Sequence, residues 1–172
     1  MEAGRRLGLH RSSDSSSLAL CSRLLVKLEP LYRIRFTYPE GWMVGLEGGW
    51  EQHLYLAEGR CEGSINGRFR GANFPKRRGA EGAFRPDFRA VIEADDGATI
   101  MWECHGYGRA YPPGERQVVG AIFHLSEAET YGRLNDSVCV CVGEVRAPSD
   151  PGEAETELVL DVAELVWEPL AK

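Results

Sequence analysis

Residues 59–71 read Gly59-Arg60-Cys61-Glu62-Gly63-Ser64-Ile65-Asn66-Gly67-Arg68-Phe69-Arg70-Gly71. In an extended chain Gly59, Gly63, Gly67 and Gly71 fall on the same side as Cys61, Ile65 and Phe69. A strand that omits side chains on one face can bend toward that face or let a facing group approach closely, and closure into a barrel follows. The other face carries Glu62, Ser64, Asn66, Arg68 and Arg70. Periodicity alone leaves open whether this face looks into a polar lumen or out to water.

Around this segment, apolar residues recur at every second position in short runs separated by Gly, Pro, Asn and Asp, from Leu25 onward. This is the pattern of strands joined by turns. Leu31 to Thr37 sets Tyr32, Ile34 and Phe36 against Arg33 and Arg35. Further strands are predicted at His53 to Glu58, Asp87 to Ala94, Ala98 to His105, Gln117 to Leu125, Ser137 to Val145 and Leu158 to Trp167. Asp95-Asp96-Gly97 predicts a tight hairpin, since Asp-Gly supplies positive φ. A short helical turn is expected around Ser126 to Arg133, with Ser126 as its cap. The fold expected is all-β: a small closed antiparallel barrel of about eight to ten strands with little helix.

The 172 residues, 43% of them hydrophobic, suit one domain with one core. A Ser- and Arg-rich stretch over 1–24 reads as a disordered leader, and 25–170 as the barrel domain. A formal charge of −6 argues against a nucleic-acid surface. No apolar run reaches the roughly 18 residues of a membrane-spanning helix. The segment Leu18-Ala19-Leu20-Cys21 is too short, and Leu20 too large, for an export signal with a lipidated cysteine. Five cysteines, none in a C-x-x-C pair, read as reduced thiols in a cytoplasm. The expected partner is a small molecule, with no membrane or nucleic-acid partner. A homodimer through an exposed aromatic strand is a further expectation.

Several ordered motifs resemble the bacterial and fungal family called domain of unknown function 3237. They are Leu28-Glu29-Pro30-Leu31-Tyr32-Arg33, the Gly59 to Gly63 run with Gly67 and Gly71, Asp87-Phe88-Arg89 leading to Asp95-Asp96-Gly97, Leu134-Asn135, and a strand ending Val142-Gly143. The resemblance spans 28 to about 168 and implies a compact antiparallel β-barrel, without an established reaction. The chain departs from the family where relatives often carry an Asp-Trp pair, reading Gly79-Ala80-Glu81-Gly82-Ala83-Phe84, and at Ala163, where relatives often carry Tyr.

Chemistry is sought first among carboxylates. Glu62, partly desolvated at a barrel mouth, would have its pKa raised toward neutrality and could shuttle a proton. Arg68 or Arg70 would stabilise an oxyanion, and Asn135 would orient the substrate. The competing reading makes Glu62 a solvent-facing strand residue, and Asn135 a turn cap. Asp87 and Arg89 share a face and matter only if it lines the lumen; otherwise they form a surface ladder. Trp42, Trp50, Trp102, Tyr107, Tyr111 and Phe123 supply aromatic surface for a ligand pocket. The ligand-binding set expected is Trp50, Asp87, Arg89, Trp102, His105, Tyr107 and Phe123.

Other chemistries fit less well. His10, His53, His105 and His124, with Glu103 two residues before His105, lack the H-x-H spacing of metal barrels, and no metal or other cofactor is expected. There is no G-x-S-x-G elbow. Cys139 and Cys141 share a Val-rich strand face where burial makes a thiol inert. Pro75-Lys76-Arg77-Arg78-Gly79 could clamp an anionic group, but the acidic chain favours a solvated hairpin tip. The reading that follows is a cofactor-free lyase, isomerase or cyclase of small-molecule metabolism. The alternatives are a lipocalin-like carrier, and a structural protein with no open cavity. Cavity polarity discriminates among the three.

Overall fold

Alternation of apolar and charged side chains runs through nine strands in the computed structural model, which describes residues 26–111, 115–146 and 156–169. The expected leader with His10 and Cys21, and both limits placed on the barrel domain, lie outside the described residues. The strands are β1 (Val26–Leu46), β2 (Trp50–Gly63), β3 (Gly67–Asn73), β4 (Lys76–Arg78), β5 (Asp87–Ala94), β6 (Thr99–Tyr111), β7 (Glu115–Leu125), β8 (Cys139–Arg146) and β9 (Glu157–Trp167). All pair antiparallel in the order β1-β9-β8-β7-β6-β5-β3-β2, and β1 pairs again with β2, which closes the ring. β4 adds only to the early part of β2. Closure removes free edges and divides each strand's side chains between lumen and exterior. Among the described residues no helix is long and apolar enough to cross a membrane.

The glycine-rich segment is two strands and a turn rather than one bent strand. β2 ends at Gly63, whose φ of 140° few other residues adopt, and Asn66 ties the corner by accepting from the Gly63 N–H and donating to its carbonyl. The close approach expected of the glycines is present: a Cβ on Gly59 would lie 2.0 Å from the Arg35 carbonyl oxygen and 2.5 Å from Phe36 Cβ. The hairpin predicted at Asp95-Asp96-Gly97 joins β5 to β6, with Gly97 at φ 91° and Asp96 Oδ1 accepting from the Ala98 N–H at 3.0 Å. The helical turn is a 3-10 segment at Glu129–Asp136, later than predicted. Ser126 lies two residues before its Ala128 cap and donates instead to the Thr99 carbonyl.

The inward face settles the orientation left open by the sequence. Cys61, Ile65 and Phe69 are buried, so alternation turns Glu62, Arg68 and Arg70 outward into solvent. Desolvating these three charges in the lumen would cost on the order of several kcal/mol per ion. Outside, Arg70 pairs with Glu93 across β3 and β5, and Arg68 lies 3.6 Å from Glu58. Of the two orientations left open this stripe takes the one facing water, and the chemistry assigned to Glu62, Arg68 and Arg70, which needed the lumen, loses its premise. Phe36, Phe69, Phe88 and Trp102 fill the middle of the barrel, with ring centroids 5.1–5.6 Å apart. Beyond this plug, buried Trp102 donates its indole N–H to Tyr32 Oη at 3.1 Å, and Tyr32 donates to His124 Nε2 at 2.5 Å.

Burial pushes the His124 imidazole down from 6.5 to about 4, so it folds neutral. The unfolded chain takes up the proton below pH 6.5 and the folded one only near pH 4. Stability is therefore expected to fall as pH drops through that window. In urea titrations between pH 7 and pH 4, His124→Gln should flatten this fall, and an unchanged pH slope would contradict the assignment. Gly59→Val should cost about 1–3 kcal/mol or prevent folding, because backbone occupies the space of its Cβ. Gly45→Val, with nothing within 4 Å of the added Cβ, should stay within about 0.5 kcal/mol of the parent by the same titration.

Candidate functional site

Successive strands of an up-and-down barrel present alternate ends to the same rim. Inward residues late on β1, β3, β6 and β8 therefore meet inward residues early on β2, β5, β7 and β9. At this rim, above the Phe36–Phe88 plug, a cavity of about 580 Å3 opens between Tyr38, His53, Tyr55, Asn73, Phe84 and Arg116. Its floor and wall are apolar, with Phe36, Phe88, Val118, Leu158 and Leu160 among them. The size and mixed lining are those of a small-molecule site.

Period two from buried Ala57 places Tyr55 and His53 inward on β2. Tyr55 donates its hydroxyl proton to His53 Nδ1 at 2.9 Å, and His53 Nε2 donates to Glu51 Oε2 at 3.1 Å. A phenol, an imidazole and a carboxylate thus stand in a hydrogen-bonded file, with His53 only 6% exposed. Gly41, opposite Tyr55 across β1 and β2, leaves room for the phenol ring: a Cβ there would lie 2.5 Å from Tyr55 Cδ1. Tyr38 stacks on the other side at 4.8 Å between centroids and receives a hydrogen bond from Asn73 Nδ2 at 2.9 Å. Asn73 is 7% exposed, and its Oδ1 has no partner among the described residues.

The site's positive charges come from β4 and β7. Arg77 donates to Glu51, and its guanidinium lies 4.8 Å from the Phe84 ring centre. Arg116 lies 4.2 Å from the same ring, in reach of a cation–π interaction. Its stem crosses β6 at Gly108, where an added Cβ would meet Arg116 Cδ at 3.3 Å. Phe84 is fixed above it by two backbone bonds of 2.8 Å with Gly108. The hydrogen bond from Arg77, and then that from His53, hold the Glu51 carboxyl below its ordinary pKa. Burial raises the pKa of the Tyr55 phenol, with Arg77 and Arg116 opposing, so the phenol rests protonated. Burial also lowers that of Arg116.

None of the residues expected to act or bind lines this cavity. Glu62, Arg68 and Arg70 face outward. Asn135 is exposed and holds its turn, accepting from the Ser126 N–H at 2.8 Å and donating to the Ser126 carbonyl at 2.9 Å, which is the capping alternative. Asp87 and Arg89 lie on the exterior 3.7 Å apart, and Arg89 also reaches Glu103. His105 is exposed and bonded to Glu103. Tyr107 is half-buried under the Arg109 guanidinium, Phe123 is an exposed exterior side chain, and Trp50 is on the outer rim. Trp102 is in the plug. Trp42 is exposed, and the Tyr111 side chain lies outside the described residues. Burial pushes the Cys139 thiol pKa up to about 11, as expected, whereas the hydrogen bond with Cys104 lowers that of Cys141, against the expectation for that residue.

Sequence reasoning missed Tyr55, Glu51 and Arg116 as site residues. Counting inward by twos from the buried core would have found Arg116, a charged residue in phase with Val118 and Ile122. Arg77 belonged to the basic segment that composition assigned to solvent. Removing Arg77 tests the local electrostatics: in Arg77→Met the Glu51 pKa should rise toward the ordinary carboxylate value. Carbon-13 NMR of the Glu51 carboxyl against pH would show this, and an unmoved titration would contradict it.

Solved structures share the fold. The chain superposes on a β-barrel-like protein of Acinetobacter baumannii AYE with a TM-score of 0.68 at 21% identity, over 82% of this chain and 96% of that one. A protein of unknown function from Clostridium acetobutylicum ATCC 824 gives 0.69 at 18% identity, over 82% and 99%. An enzyme from Penicillium herquei gives 0.60 at 21% identity, over 84% and 97%. No functionally curated protein matches the chain. The motifs that pointed to a family are matched by that family's model over residues 26–164, and the chain belongs to the family described as protein of unknown function (DUF3237).

Proposed function

We propose that this chain is a cofactor-free enzyme, a lyase, isomerase or cyclase, that moves a proton on a small molecule held in the barrel mouth. The observation that carries this reading is the Tyr55–His53–Glu51 file in the cavity wall, at 2.9 and 3.1 Å. The proton on Tyr55 Oη passes to His53 Nδ1, and the phenolate oxygen takes a proton from the substrate. Glu51 stabilises the imidazolium so formed, and Arg77 and Arg116 stabilise the phenolate. Return of the proton from His53 through Tyr55 to another substrate atom completes an isomerisation or ring closure with no net redox change. The same barrel serves an enzyme of Penicillium herquei, which supports catalysis as a use of this fold.

The apolar floor favours a second reading, a lipocalin-like carrier that holds its ligand unchanged. The two differ in one measurement. A ligand retained through purification is identified by native mass spectrometry, and exchange of its C–H protons into D2O is followed by proton NMR. The enzyme should exchange or convert it, Tyr55→Phe should slow this by about 10²–10⁴-fold, and Glu62→Gln should leave it unchanged. An unaltered ligand in the parent protein, or full turnover in Tyr55→Phe, would establish the carrier or remove Tyr55 from the mechanism.

A further inference from the structure

The polar inventory of the mouth is incomplete in two places. Arg116 Nη1 is sealed from solvent yet has no hydrogen-bond partner among the described residues, and the same holds for Asn73 Oδ1. Buried polar atoms in folded proteins almost always find partners, and an unpaired buried charge is costly. The two atoms need opposite things: the guanidinium N–H needs an acceptor, and the amide oxygen, whose Nδ2 is committed to Tyr38, needs a donor. Charge is incomplete too. Glu51 offsets Arg77, while Arg116 has no carboxylate partner among the described residues. Below both lies an apolar wall of Phe36, Phe88, Val118 and Leu160.

We infer that the mouth selects a monoanionic hydroxy acid with an apolar body. Both atoms are covered by protein, so small rotations of the two side chains toward the cavity they line bring the guanidinium to the carboxylate and the Asn73 amide oxygen to the hydroxyl, while the hydrocarbon part rests on the floor. This deepens the proposed function in resting on the same cavity, but not on the proton-transfer step. The Phe84 ring, centred 4.2 Å from the guanidinium carbon, and Gly108 beside the Arg116 stem keep the charge at the cavity wall. A neutral ester of the same shape would leave the guanidinium without its counter-charge. An acid without the hydroxyl would leave the Asn73 oxygen without a donor.

The test is calorimetric titration of the full chain with three probes: 3-phenyllactate, its methyl ester, and 3-phenylpropionate. Phenyllactate should bind at least about tenfold more tightly than either of the others, the range of one charge-assisted or buried hydrogen bond. Arg116→Gln, with its fold verified by circular dichroism, should bind acid and ester alike, and Asn73→Leu should bind the two acids alike. Glu62→Gln, on the exterior, should keep the full preference, and because binding is read without turnover, a failed proton-transfer step leaves this result standing, and the reverse. Equal binding of acid and ester by the parent protein, or no binding of any probe at millimolar concentration, would overturn the proposal without recourse to any variant.

Discussion

Ring closure of the sheet is the constraint from which the site follows. Once β1 pairs with both β9 and β2, each strand divides its side chains between lumen and exterior, with no third surface for an inward residue to occupy. The interior must then be filled, and Phe36, Phe69, Phe88 and Trp102 fill its middle in edge-on and tilted contacts. The plug divides the lumen into a sealed half and an open mouth. At inward positions above it polar side chains meet one another around a cavity, and Tyr38, His53, Tyr55, Arg77 and Arg116 line it.

Much of this was legible from alternation alone. Asp87–Ala94 was bounded correctly, the Asp-Gly hairpin lies where it was predicted, and glycine does let β2 lie against β1 at Gly59 and Phe36. What misled was treating the four glycines as one strand and giving chemical weight to the charges between them. Cys61, Ile65 and Phe69 already carried the answer: three apolar residues in phase belong inside, and the carboxylate and guanidiniums out of phase belong in water. Strand boundaries hid the rest. Predicting β7 from Gln117 left Arg116 one residue outside the strand that turns it inward. Arg77 was hidden for a different reason. Its side chain is drawn in by Glu51 and Phe84, partners that meet it only through tertiary pairing of β4 with β2.

The exterior shows what the same residue types do without a cavity. Arg33 and Asp161 form a two-point pair at 2.6 and 2.7 Å across β1 and β9, and Arg60 meets Asp95 at 2.5 Å. Each partner is about half exposed, so solvent screens the attraction and each pair contributes little to stability. These charges are complete in themselves and have no unmet need. In the mouth the Glu51–Arg77 pair is largely withdrawn from solvent and shared with His53, and Arg116 stands beside it without a carboxylate partner among the described residues. The difference lies in geometry rather than composition, which is why counting charged residues could not locate the site.

Two histidine–tyrosine pairs share this lumen, and comparing them shows what makes one of them a candidate for catalysis. Below the plug, His124 accepts from Tyr32, which in turn accepts from Trp102. Among the described residues no carboxylate hydrogen-bonds this imidazole, and burial holds it neutral. Protonating it would place an unpaired charge in a dry core, where His124 Nδ1 already has no hydrogen-bond partner among the described residues. Above the plug, His53 accepts from Tyr55 in the same way, but its second nitrogen faces Glu51, and the phenol borders a cavity flanked by two guanidiniums. A proton moving from Tyr55 to His53 there creates an imidazolium already paired and a phenolate already flanked by positive charge. The same two side chains thus stand among aromatic rings in the sealed half and beside a carboxylate and two guanidiniums in the open one.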